Sequence, residues 1–133
     1  MESTLAQPQG KISAFTDLYA WQEGHKLVLM IYRAIKQFPP EEKFDLSKQL
    51  RRAVVSITSN IAEGFSRQSY REKVQFYAIA LGSLTEVQNQ TIIARDIQYI
   101  PTKVFDELMN QSIVVSRLTN GLIKKSKTII LNS

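Results

Sequence analysis

Three charged residues near the middle of the sequence have the types that acid–base chemistry requires. Glu63 and Glu86 could each transfer a proton, and Arg52 could stabilise the negative charge that develops. The sequence has no nucleophile elbow, no phosphate-binding loop and no cysteine. Its one histidine, His25, has no glutamate three residues before it, as di-iron bundles require. We therefore expect a non-enzymatic protein with no catalytic residue, no metal and no cofactor.

The same charged residues also fit a structural role in a polar network between two helices. The candidate members are Arg52, Ser56, Asn60 and Glu63 from one helix, with Ser83 and Glu86 from the next. Serine and asparagine weaken helices, so a helical stripe of them indicates close contact with another helix, another subunit or a ligand. A buried arginine needs a carboxylate and further acceptors, so we expect an ion pair that fixes helix register or subunit contacts.

Basic residues provide a second candidate site. The net charge of +5 and the pI near 9.6 favour polyanionic partners, although such charge also keeps a protein dispersed. Candidate nucleic-acid contacts around the second connector and its flanks are Lys48, Arg51, Arg67, Arg71 and Lys73. The lysines at positions 124, 125 and 127 could bind phosphate or simply complement a helix dipole. No motif for reading bases is present.

The elements that must position these residues are helices, because apolar residues recur at three- and four-residue steps and no strand-like alternation persists. The predicted helix signals are an N-cap at Asp17, a stop at Pro39, an N-cap at Asp45, a left-handed C′ residue at Gly64, a capping box from Ser69 to Glu72, an end near Gln98, a start at Pro101 and a fading end near Lys124. Short connectors between four helices predict an all-α, antiparallel up-down-up-down four-helix bundle.

The first helix carries apolar residues on more than one side, which is typical of a helix that also meets a second subunit. Trp21, Leu27 and Ile31 are our candidate subunit interface. In the third helix, Gly82 weakens the helix interior by about 1 kcal/mol relative to alanine. We expect that this glycine lets another backbone approach closely.

The domain organisation predicted from the sequence is a flexible N-terminal arm over residues 1–14, a bundle over residues 15–128 and a C-terminal tail over residues 129–133. The start of the sequence lacks the pattern of a signal peptide, and the longest apolar run, Leu27 to Tyr32, is too short to span a membrane. We therefore expect a cytoplasmic protein with no membrane partner.

Several segments carry a specific resemblance to a bacterial protein family. They are Phe15-x-Asp17-Leu18-x-x-Trp21, Gln49-Leu50-Arg51-Arg52-Ala53, Ser56-Ile57-x-x-Asn60-Ile61-Ala62-Glu63-Gly64 and Gly82-Ser83-Leu84-x-Glu86. In this order they resemble the four-helix-bundle proteins encoded in intervening sequences of the 23S rRNA gene, often called S23 ribosomal proteins. The polar residues that match the family are Gln49, Arg52, Ser56, Asn60, Glu63, Ser83 and Glu86.

The resemblance implies a ring, usually a homopentamer, but no settled biochemical activity. Accessory proteins of diversity-generating retroelements, which are similar in shape, form basic pentameric barrels that bind nucleic acid and a reverse transcriptase. Since fold alone does not fix function, two hypotheses stay open. One is a non-enzymatic oligomer that binds RNA, DNA or a ribonucleoprotein partner through a basic surface. The alternative is a protein–protein assembly scaffold with no nucleic-acid role.

Overall fold

The computed structural model describes Gln7, residues 10–42 and residues 45–133. Four helices contain most of these residues: α1 (Tyr19–Ile35), α2 (Leu46–Ser66), α3 (Tyr70–Asp96) and α4 (Thr102–Leu131). Short 3-10 turns precede α1 and α2, and no strand occurs within the described ranges. The prediction of an all-α four-helix bundle is confirmed. Residues 1–6, 8 and 9 of the predicted arm, with Lys43 and Phe44 of the first connector, lie outside the described residues.

Each helix packs against its neighbours in the chain, and α4 closes the bundle against α1. Because short connectors join packed helices, consecutive helices run antiparallel. The α2–α3 connector therefore lies at the same end of the bundle as the start of α1 and the end of α4. The shared core consists of aliphatic side chains that are almost fully buried, among them Leu27, Ile57, Ile61, Val87 and Val115.

The start of α1 differs from the sequence-based prediction. Asp17 closes a 3-10 turn (Phe15–Asp17), and α1 begins two residues later, at Tyr19. The Asp17 carboxylate accepts hydrogen bonds from the backbone N–H groups of Ser13 (2.9 Å) and Ala14 (3.0 Å). These two bonds favour the ionised form and lower the pKa of Asp17. The residue thus fixes the turn that leads into α1 and does not cap the helix.

The predicted caps of α2 and α3 lie where expected. Ser69 is the N-cap of α3, and its hydroxyl accepts a hydrogen bond from the Glu72 backbone N–H at 3.2 Å. Asp45 occupies the N-cap position of α2 but makes no side-chain capping bond there. The capping signal therefore located both helix starts, while only the serine supplies the expected bond.

The two glycines singled out in the sequence have roles other than those predicted. Gly64 has no positive φ, and α2 continues past it to Ser66. A Cβ atom on Gly64 would lie 2.7 Å from Cε1 of Tyr77, so the glycine permits close contact between α2 and α3. Gly82 is exposed, and no atom lies within 4 Å of the position of its missing Cβ. No backbone of the described residues approaches Gly82.

The face of α1 that packs inward is the one that holds Leu27 and Ile31, which are 0% and 1% exposed. These two residues belong to the chain's own core, so their assignment to a subunit interface is corrected: neither has surface left for a partner. Trp21 is half-buried and stacks on the exposed His25, with 4.9 Å between ring centroids. The large apolar residues that α1 does leave exposed are Leu29 and Tyr32.

The fourth helix continues beyond its predicted end. It runs without a break to Leu131, so Lys124, Lys125 and Lys127 project from a regular helix instead of marking its last residues. The predicted boundary between bundle and tail, after residue 128, consequently falls inside α4. Among the described residues, no helix combines the length and the apolar character needed to cross a lipid bilayer.

Candidate nucleic-acid interface

The five predicted cations do not form one cluster. Lys48 and Arg51 lie in the first two turns of α2, whereas Arg67 follows its last residue. At 1.5 Å per residue, Lys48 and Arg67 are separated by about 28 Å along the helix axis. Lys48 and Arg51 therefore lie at the opposite end of the bundle from the other three, and the prediction of a single patch is corrected.

A larger group of cations does converge at the end that holds the α2–α3 connector. We call this group the basic end and define it as Arg67, Arg71 and Lys73 with Lys124, Lys125 and Lys127. The start of α3 and the end of α4 lie side by side and line two common surfaces. Arg71 and Lys127 line one groove, and Lys73 and Lys125 line one cavity. The lysines of α4 join this site because the helix is longer than its sequence suggested. The absence of Gly and Pro between residues 122 and 131 was the signal for that length.

Two members of the basic end are engaged with their own chain. Arg67 pairs with Glu63 at 2.8 Å and lies over the ring of Phe76, 4.6 Å from its centroid. The Lys73 ammonium donates to the backbone oxygen of Phe65 at 2.7 Å, and partial burial lowers the pKa of Lys73. Both side chains therefore stabilise the connector between α2 and α3.

The remaining members, Arg71, Lys124, Lys125 and Lys127, are exposed. None of them forms an ion pair with any residue in the part of the chain that the structure describes. Their charge is thus directed at solvent. The basic end also holds two exposed carboxylates, Glu63 and Glu72. At the opposite end of the bundle, the cations are interspersed with Asp45, Asp96, Asp106 and Glu107.

The predicted polar network forms only in its uncharged part. The Ser56 and Ser83 hydroxyls lie 2.8 Å apart between α2 and α3, and the Asn60 amide donates to Ser56 Oγ at 3.1 Å and to Ser56 O at 2.8 Å. The small polar stripe therefore serves contact between two helices of one chain.

The charged residues predicted for this network lie outside the contact between α2 and α3. Arg52, Glu63 and Glu86 are exposed, as is Gln49. Glu63 binds Arg67, and Glu86 accepts a 3.4 Å hydrogen bond from the Gln90 amide. The expected buried ion pair is wrong, because these positions project to the solvent side of α2 and α3. Nor do the two carboxylates form a desolvated acid–base pair.

Among the residues that the structure describes, no group of three or more histidine, cysteine or acidic side chains could hold a metal ion. Fold and site together define a helical bundle with one strongly basic end. The 23S rRNA-intervening sequence protein family matches residues 16–121, and the chain belongs to that family. The resemblance found in the sequence is thereby confirmed.

A similar fold occurs in a solved structure of a protein of unknown function from the S23 ribosomal protein family of Bacteroides thetaiotaomicron. The two chains share 25% sequence identity and superpose with a TM-score of 0.73. The match covers 79% of this chain and 98% of that one. A comparison with curated proteins gives no match.

Proposed function

We propose that this protein is a non-enzymatic, oligomeric module that binds nucleic acid, or a ribonucleoprotein partner, through the basic end. The observation that carries the proposal is the groove lined by both Arg71 of α3 and Lys127 of α4. Exposed cations from two separate helices meet there, and Lys124 and Lys125 extend the charge along α4. Phosphate contacts of this kind supply affinity without base recognition, so we expect binding with little sequence preference.

The family name refers to intervening sequences of 23S rRNA, which makes RNA the first polyanion to test. We further propose that the protein associates with itself, as a pentamer in the arrangement that we expect from the resemblance. A ring would repeat the basic end around one axis, and several weak contacts to one RNA would then add through avidity. Assembly therefore supports RNA binding that a single groove would sustain only weakly.

The test is a titration of a labelled structured RNA by fluorescence anisotropy between 50 and 300 mM salt, with a DNA duplex of equal length beside it. We expect affinity to fall steeply as salt rises. The double variant R71Q/K127Q should weaken binding and reduce the salt slope by about 2 for each bound chain, since each phosphate contact contributes about 1. The matched control is K48Q/R51Q, which removes the same charge from the opposite end and should bind like the wild type.

Three results would overturn the proposal. The first is no binding at 50 mM salt, and the second is an affinity that does not depend on salt. The third is an equal loss in both double variants, because that would reflect net charge and not the basic end.

The alternative, a protein–protein assembly scaffold, is favoured by a different observation. Four isoleucines are exposed on α3 and its C-cap: Ile79, Ile92 and Ile93 in the helix, and Ile97 at the C-cap. Such apolar residues suit a protein partner, and the basic end would then serve solubility. A stoichiometric protein partner that persists after nuclease treatment, from a protein that binds no RNA at low salt, would establish this function instead.

A further inference from the structure

A cavity of about 580 Å³ lies beside the basic end, between the segment before α1, the α2–α3 connector and residues 114–126 of α4. This volume is within the range of small-molecule sites in proteins. Its apolar wall is formed by Ile12, Leu18, Phe65, Val114, Leu118 and Leu122. The wall is therefore suited to an aliphatic group.

The charged residues that line the cavity, among those described, are all cations: Lys73, Arg117 and Lys125. The Lys73 ammonium is held in place by the backbone oxygen of Phe65 at 2.7 Å, and Lys125 is exposed on α4. None of the described residues that line the cavity is a carboxylate. An apolar wall bordered by cations selects a ligand with an aliphatic part and a negative head.

Tyr77 provides an independent observation in the same cavity. It lines the wall and is 3% exposed, yet its hydroxyl forms no hydrogen bond with any residue in the described ranges. Although the ring is buried, the hydroxyl oxygen is not a buried unsatisfied group, so it can be reached from the cavity and is able to donate a hydrogen bond there. A ligand that brings an acceptor oxygen into the cavity would satisfy it.

Gly121 keeps the cavity open. It lies well inside the 30-residue helix α4, where glycine is unfavourable, and it lines the cavity. Among the described residues, no atom lies within 4 Å of the position that its Cβ would occupy, so their packing does not require a glycine there. A larger side chain at this position would project into open space and fill part of the cavity.

We propose that this cavity binds a free aliphatic carboxylate. The hydrocarbon chain lies along Leu118 and Leu122, and the carboxylate is bound by Lys73 and Lys125. Tyr77 donates a hydrogen bond to the ligand. The site shares Lys73 and Lys125 with the basic end but does not include the groove between Arg71 and Lys127, and the inference goes beyond the proposed function.

The test is isothermal titration calorimetry of the full-length protein with dodecanoate below its micellar concentration. We expect saturable binding of one molecule per chain, and at least tenfold weaker binding of dodecanol, which lacks the charge. The variant G121L should lower the affinity for dodecanoate at least tenfold. Its matched control is G82L, because Gly82 also lies inside a helix with no atom near the missing Cβ, but does not line the cavity.

A second variant tests the proposed site even if G121L does not fold. Lys125 is exposed, so K125E should leave the fold intact, as circular dichroism would verify. The K125E variant should bind dodecanoate more weakly than the wild type does, and it should bind dodecanol with unchanged affinity. The proposal is overturned if dodecanoate does not saturate, if G121L binds as tightly as G82L, or if the alcohol binds as tightly as the acid. A second copy of the chain would be the occupant if G121L abolishes self-association and dodecanoate does not bind.

Discussion

Gly64 of α2 and Tyr77 of α3 are in contact so close that a single added methyl group would not fit between them. A Cβ on Gly64 would lie 2.7 Å from Cε1 and 2.9 Å from Cδ1 of the tyrosine ring, and 3.1 Å from the Cβ of Phe76. This contact sets how closely the two helices approach immediately before the connector that carries Arg67. The geometry of the basic end thus depends on the absence of a side chain at position 64.

The first prediction compares the same substitution at two glycines. Gly64→Ala should lower the free energy of unfolding by about 1–2 kcal/mol, because overpacking against a buried ring outweighs the gain in helix propensity. Gly82→Ala should raise it by about 0.5–1 kcal/mol, because the methyl group meets no neighbour. Urea denaturation followed by circular dichroism measures both. Equal effects of the two variants would contradict the close contact at Gly64.

These two glycines show why part of the structure could not be predicted from the sequence. Periodicity identifies an α-helix reliably, so all four helices were found, and the serine cap placed the start of α3 at the correct residue. The identity of a glycine, however, does not reveal whether it ends a helix, allows an aromatic ring to pack closely against the backbone, or faces solvent. Only the neighbouring helix decides among these roles, and the neighbour is a property of tertiary packing.

The same limit explains the errors in the site. On α1, two apolar stripes were visible, but the sequence could not tell which one faces the core, and Leu27 and Ile31 proved to be buried. For the cations, proximity in sequence does not imply proximity in space. Helix α2 separates Lys48 from Arg67, while the antiparallel arrangement brings Lys127 to Arg71 across a gap of 56 positions. The basic end therefore required knowledge of the topology.

The second prediction concerns the hydroxyl pair of Ser56 and Ser83. Their 2.8 Å contact joins α2 to α3 in a half-buried setting, where a hydrogen bond contributes about 1 kcal/mol. Ser56→Ala should destabilise more than Ser83→Ala, because Ser56 Oγ also accepts from the Asn60 amide. A double-mutant cycle by urea denaturation should give a coupling energy of about 0.5–1 kcal/mol. Ser59→Ala, at an exposed position of the same helix, is the control and should change little.

The third prediction is a loss of stability at alkaline pH that depends on Tyr77. Burial raises the pKa of Tyr77 to about 12, from the ordinary value of 10.0. The folded state therefore disfavours the phenolate, while the unfolded chain ionises near pH 10. The contribution to stability is complete below pH 10 and is lost as the pH rises toward 12.

Tyr77→Phe separates this effect from other alkaline titrations, because phenylalanine has no proton to lose. The free energies of unfolding of the wild type and the variant should differ by a constant amount up to about pH 9. Above pH 10 the wild type should lose stability more steeply than the variant. Parallel curves up to pH 11.5 would show that Tyr77 ionises normally and is not desolvated.

The fourth prediction locates the surface through which the protein associates with itself. Ile93 near the end of α3 and Ile97 at its C-cap are exposed at a spacing of four residues, which places them on one face, and Ile92 lies beside them. Helix α1 exposes Leu29 and Tyr32 in a similar arrangement, so it offers a matched second face. Because α3 and its C-cap together expose four isoleucines, we expect the interface on α3 and not on α1.

Light scattering should therefore give the wild type a mass of about five times the 15.2 kDa chain. The double variant Ile93→Ser/Ile97→Ser should dissociate, since burial of apolar surface is the main source of such association. The control double variant Leu29→Ser/Tyr32→Ser should keep the mass of the wild type. Circular dichroism checks that both variants retain their helices. Dissociation of the α1 variant alone would move the interface to that helix, and a monomeric wild type at high concentration would refute self-association.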